Sequence, residues 1–144
     1  MLCSVGSADN VALSFPAGWT IYQEGNNTAN LRSTLAWKRA VGAEAAFTIT
    51  HPAGAQIFAA LSVYRGCAAT GSPINASSLR HNASSATCTA DAITPNVLYC
   101  PIIFVMNSTG IATSSAQAAT DPATLTEIWD NSIGGFLNSS GAHL

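Results

Sequence analysis

The run Ala-Gln-Ile-Phe-Ala-Ala-Leu-Ser-Val-Tyr-Arg-Gly at 55–66 carries no charge before Arg65 and has no polar face. In extended chain Ile57, Leu61 and Val63 point to one side, and Phe58, Ala60 and Tyr64 to the other. A strand apolar on both sides is covered on both sides. This run is therefore expected at the centre of the fold rather than at its edge, ending in the Tyr-Arg-Gly turn. An all-β architecture follows if the rest of the chain is patterned the same way.

It is. Met1 to Val5 reads as a short strand, and Val11 to Phe15 as an extended segment leading into the turn signal Pro16-Ala17-Gly18. Trp19 to Glu24 alternates, a turn-rich loop follows at Gly25 to Asn30, and Arg32 to Ala40 alternates again with Leu35 and Trp37 on one side. The cleanest period of two lies in Ala45 to Thr50, with Phe47 and Ile49 inward and Thr48 and Thr50 outward. Cys67 to Ala86 reads as a long polar loop, Thr87 to Ile93 as a short strand, and Val97 to Asn107 as a core strand with a bulge or edge position at Pro101. Ile111 to Asp121 is weakly patterned, Leu125 to Asp130 reads as a strand, and Asn131 to Gly141 as a loop. Short strands without an amphipathic helix predict one domain, residues 1–144, folded as an antiparallel β-sandwich of jelly-roll type. The expected core is Leu35, Trp37, Phe47, Ile49, Ile57, Leu61, Val63, Ile103 and Val105.

The 144 residues suffice for one independent core. Only 8% are charged, against roughly 25% in an ordinary domain. The net charge is −2, and the basic residues are Lys38 and four arginines. Five cations make a poor phosphate-binding surface, which argues against nucleic acid as a partner. The longest apolar run, Val97 to Met106, has about half the roughly 20 residues of a spanning helix, and Pro101 interrupts it; no membrane insertion is expected. Met1 to Gly6 lacks the basic and long apolar regions of a secretory leader. A surface of Ser, Thr, Asn, Gly and Ala with little charge suits a subunit of an assembly.

No catalytic constellation emerges, and no cofactor or metal is expected. The histidines His51, His81 and His143 have no ligand spacing, and no Gly-x-Ser-x-Gly elbow or phosphate-cradling loop is present. Glu127 and Asp130, three apart on a predicted strand, fall on opposite faces and cannot act as a carboxylate pair. Cys3, Cys67, Cys88 and Cys100 contain no Cys-x-x-Cys pair. Cys67 and Cys88 flank the long polar loop, so they either close it as a disulfide in an oxidising compartment or stay free thiols. Trp19, Tyr22, Trp37, Tyr64 and Trp129 lie on predicted strands or at strand ends. Large aromatics ordinarily anchor small β cores; exposed and coplanar, they would stack against sugar rings. Trp19, Tyr22, Tyr64, Arg65 and Trp129 are thus the candidate glycan or partner contacts. The structural alternative for Arg65 is a bond to loop carbonyls or to Glu127 or Asp130. Asn-x-Ser/Thr triplets begin at Asn26, Asn75, Asn82, Asn107 and Asn138 and read as polar surface.

Four segments together carry a resemblance: Phe15-Pro16-Ala17-Gly18-Trp19-Thr20; Leu35-Ala36-Trp37-Lys38-Arg39-Ala40; Val63-Tyr64-Arg65-Gly66 with Pro73 beyond it; and Asp121 to Asp130. Their succession resembles small β-sandwich domains of tailed-bacteriophage virion proteins, which occur in tail, baseplate, fibre and decoration components. The resemblance spans roughly residues 1–140, but the family's strand before Leu2 and its closing strand after Leu144 have no counterpart, so at least one sheet edge is expected to be unprotected. It implies a non-enzymatic virion structural protein, made in the host cytoplasm. Such a protein binds other virion subunits and host-surface glycans, and self-associates, most plausibly around a threefold axis. The rival reading is a carbohydrate-binding module with an exposed aromatic platform.

Overall fold

The computed structural model describes residues 1–27, 30–52, 54–81 and 91–94, together with the backbone of three strands at 103–108, 126–133 and 137–143. The described chain is all-β and contains no helix. Its strands are β1 (Leu2–Ser7), β2 (Thr20–Asn27), β3 (Leu31–Trp37), β4 (Ile57–Ser62), β5 (Ile103–Ser108), β6 (Thr126–Ile133) and β7 (Leu137–His143). The first four form an open antiparallel sheet in the order β2-β3-β1-β4, and the last three an antiparallel sheet in the order β5-β7-β6.

The middle of the four-stranded sheet belongs to β1, whose residues Cys3 to Ser7 are all buried. Small side chains suit that place: Ser4, Gly6 and Ser7 let neighbouring strands and covering segments come close. Cys3 and Val5 point to one face, where they form the core with Leu13. Val5 is wholly buried, and burial of a side chain of that size stabilises by about 1.5–3 kcal/mol. Phe15, Trp19, Phe47, Ile49 and Ile57 pack around this cluster.

The segments at 11–19 and 45–50 cover that face. They join where Ser14 and Thr50 exchange backbone hydrogen bonds of 2.9 and 3.0 Å. Phe47 and Ile49 do turn inward and Thr48 and Thr50 outward, but 45–50 is an extended cover with one bridge, not a ladder strand. The turn ahead of β2 is also as expected. The Trp19 N–H donates to the Pro16 carbonyl at 3.3 Å across Gly18, whose φ of 88° is the left-handed value required at the third position of a type II turn.

Several expectations are corrected. The apolar run at 55–66 is a strand only over Ile57–Ser62, and it lies at the sheet edge. Leu61 and Val63 are exposed, while Leu35, Trp37, Phe47, Ile49 and Ile57 are half-buried. An apolar run does not report how many strand neighbours its backbone has, nor that both its faces are covered. Leu35 and Trp37 lie on the face opposite Val5, because Leu35 pairs with Ser4 and Trp37 with Leu2. Residues 131–133 and 137–141 are not loop: they complete β6 and supply most of β7, paired from Ile133↔Leu137 onward. Their Ser, Asn and Gly residues are weak strand formers, and the ladder overrides them. Residues 91–94 belong to no strand. Residues 82–90, 97–102 and 111–121, and the burial of Ile103 and Val105, lie outside what is described.

Candidate functional site

The two edges of the four-stranded sheet are built differently. At the β2 edge the register slips between Ile21 and Gln23, so Tyr22 is the extra residue of a bulge. Beyond the bulge Glu24 receives a 2.6 Å bond from Arg32, whose other nitrogen reaches Asn10 at 3.4 Å. Gly25 then meets the segment at 79–81: a Cβ there would lie 2.4 Å from both Leu79 Cδ2 and His81 Nε2. Bulge and charge are devices that keep a strand edge from pairing further, and the segment at 79–81 packs on the sheet face beside that edge.

Among the described residues the β4 edge has none of them. No Asp, Glu, Lys or Arg occurs between Glu44 and Arg65, and β4 pairs with β1 without a register break. The Ala8 N–H donates to the Gln56 carbonyl at 2.9 Å, continuing the β1–β4 register. By the alternation of antiparallel pairs, Phe58, Ala60 and Ser62 face β1 with their backbone groups, and Ile57, Ala59 and Leu61 point theirs away from the sheet. Among the described residues no strand pairs with that side. Alongside it runs a shallow, mainly apolar groove of about 330 Å³, lined by Cys3, Phe47, Thr48, Ile49, Ile57, Ala59 and Leu61. Leu61 is 48% exposed, and Val63, just past the strand, 66%.

The aromatic candidates do not assemble into a platform. Trp19 is half-buried and inserted between Phe15 and Phe47, with ring centroids 5.8 and 4.7 Å away. Tyr22 occupies the bulge on the far edge. Trp37 is half-buried, with the Arg39 guanidinium 5.6 Å from its ring centre. Tyr64 lines a separate cleft of about 250 Å³ with Met1, Lys38, Arg39, Cys67 and Pro73. The cations of that cleft are engaged: Lys38 with Glu44 at 2.6 Å, and Arg39 with the Gly71 carbonyl at 2.8 Å. Arg65 is exposed, and no bond from it to a loop carbonyl or a carboxylate exists among the described residues. Trp129 stands at a register slip in β6, and its side chain lies outside what is described. Glu127 pairs with Ala142 and Asp130 with Ser140, three positions along β6 for two along β7, so the plain alternation assumed for this strand is interrupted between them; their side chains lie outside what is described.

Cys67 is an exposed free thiol, and Cys88 lies outside the described residues. Burial pushes the Cys3 thiol up to about 11, which leaves it protonated and unreactive. Among the described residues no three His, Cys, Asp or Glu side chains gather to hold a metal, and no helix is long and apolar enough to cross a membrane.

One polar pair escaped the sequence reading. His51 Nε2 donates to Asp9 Oδ1 at 2.9 Å, with the His51 side chain only 4% exposed and its Nδ1 buried without a partner. Asp9 Oδ1 also accepts from the Val11 N–H at 3.0 Å. Burial alone would push the Asp9 carboxyl up; the hydrogen bonds from His51 and Val11, and the nearby imidazole, outweigh it and hold the carboxyl below its ordinary range. Closed off from solvent on the histidine side, the pair ties the end of β1 to the connection before β4. The residues are 42 apart in sequence, with no spacing signal to link them. Neither protein-family models, curated proteins nor solved structures contain a match to this chain.

Proposed function

We propose that this chain is a non-enzymatic structural subunit of a bacteriophage virion, a capsid-decoration or tail or fibre component that works by associating with copies of itself and with other subunits. The observation that carries the reading is the β4 edge, unguarded among the described residues, with its exposed Leu61 and Val63, in a chain of which only 8% is charged. Monomers ordinarily block such an edge with charge, proline, a bulge or a covering segment. The virion setting rests on the resemblance of the segments at 15–20, 35–40, 63–66 and 121–130. A two-layer sandwich belongs to the same proposal: β7 comes close to β4 and β1, and β5 close to β1 and β3. The inserted ring of Trp19 and the dispersed positions of Tyr22 and Tyr64 offer no flat surface for a sugar ring, so the carbohydrate-module reading gains nothing from the geometry.

Electron microscopy of particles assembled with and without this chain tests the proposal. Density that disappears from the capsid surface or the tail when the chain is omitted supports it. Identical maps overturn it.

A further inference from the structure

We infer that β4 pairs antiparallel with β4 of a second copy of this chain across a two-fold axis at Ala59, merging two four-stranded sheets into one. This deepens the proposed self-association by naming its contact, and it rests on that reading.

Three observations select the second copy. The backbone groups of Ile57, Ala59 and Leu61 point outward and lack a strand partner among the described residues. β7 comes near β4, yet both its sides are taken by β5 and β6, so it cannot complete the ladder. The edge is neutral from Ala45 to Tyr64, leaving a charged partner strand nothing to pair with and a copy of itself nothing to repel it.

Self-pairing also has a register that fits. An antiparallel dyad joins residues of one face, so pairing centred on Ala59 sets Ala59 against its mate and Ile57 against Leu61 of the other copy. The small residue sits at the axis, where the strands' own symmetry mates meet. The bulky residues meet each other on either side, as cross-strand apolar pairs do when they stabilise a sheet. All three outward-facing residues then exchange N–H···O=C bonds. Ile57, Ala59 and Leu61 also line the apolar groove, so the grooves of two copies become continuous across the axis. The contact is two-fold, in place of the threefold arrangement anticipated from the sequence.

The test is sedimentation of the full chain over a range of concentration, beside Ala59→Lys, with backbone hydrogen exchange followed in both. Ala59 is exposed, so lysine fits the monomer, but in the dimer it faces its own mate. The expected result is a two-chain species for the natural sequence and association weakened on the order of a hundredfold in A59K, as like charges set directly opposite across an interface demand. Exchange at the N–H groups of Ile57, Ala59 and Leu61 should be slow in the natural protein and fast in A59K. If A59K does not fold, exchange in the natural protein decides: protection at those three positions that grows with concentration supports the pairing, and its absence overturns it. An oligomer that persists in folded A59K overturns the β4 contact while leaving self-association in place. A natural chain that stays monomeric removes both.

Discussion

At the residue scale the most informative side chains are polar ones in apolar surroundings. Thr34 stands beside Val5 on the core face, 2% exposed, with its hydroxyl buried and unpartnered. An unmet buried hydroxyl costs about 1–3 kcal/mol, and valine has the same shape without it. Thr34→Val is therefore expected to raise stability by about 1 kcal/mol, read as a higher denaturant midpoint with an unchanged slope. Asp9 makes the opposite case. Its folded carboxyl titrates below the ordinary value of 3.8, so its interactions contribute fully above that value and are lost as pH falls through the lowered native one. Thermal melts of the natural protein should thus drop on acidification, and Asp9→Asn should flatten that acid limb while lowering the melting temperature at neutral pH. An acid limb of unchanged slope in D9N would show that other carboxylates carry it.

At the element scale the long connection after β4 is more than surface. Leu79 and His81 lie against Gly25 of β2, leaving no room for a Cβ. Gly25→Ala must push the ends of both side chains aside, a crowding that costs about 1–3 kcal/mol. Limited proteolysis should then cut near 79–81 faster than in the natural protein, while the β1–β3–β4 ladder stays protected from hydrogen exchange. The bulges at Tyr22 and Ile128 matter on the same scale. Each interrupts the alternation of its strand, which is why Ile21 and Glu24 share a face.

At the scale of the whole molecule, four acidic side chains have described partners. Glu24 pairs with Arg32, Glu44 with Lys38, Asp9 with His51 and Asp91 with Arg80. Among the described residues most charge is matched by partners within the chain, which leaves apolar side chains and backbone hydrogen bonds to drive association. The oligomer's mass by light scattering should accordingly be the same at low and high ionic strength, since salt screens exposed charge pairs and little else. Dissociation by salt would mean the contact is made by Arg65 and other surface charges.

The local patterns in the sequence were enough to establish an all-β chain. They also located β1, β3 and β6 to within a few residues, and identified the turn at Pro16-Ala17-Gly18, though not its type, and the inward Phe47 and Ile49. These depend on alternation and turn chemistry among near neighbours. The tertiary structure alone decided the order of strands, and with it the candidate site. Residues 55–66 have a doubly apolar pattern, whereas edge or centre, and the cover each face receives, depend on which distant segments find each other. β1, with its serines and glycine, took the centre because small residues permit close approach on all sides. Bulges at single residues, the polar β7 ladder and the Asp9–His51 pair were equally invisible, because each is set by a partner far along the chain.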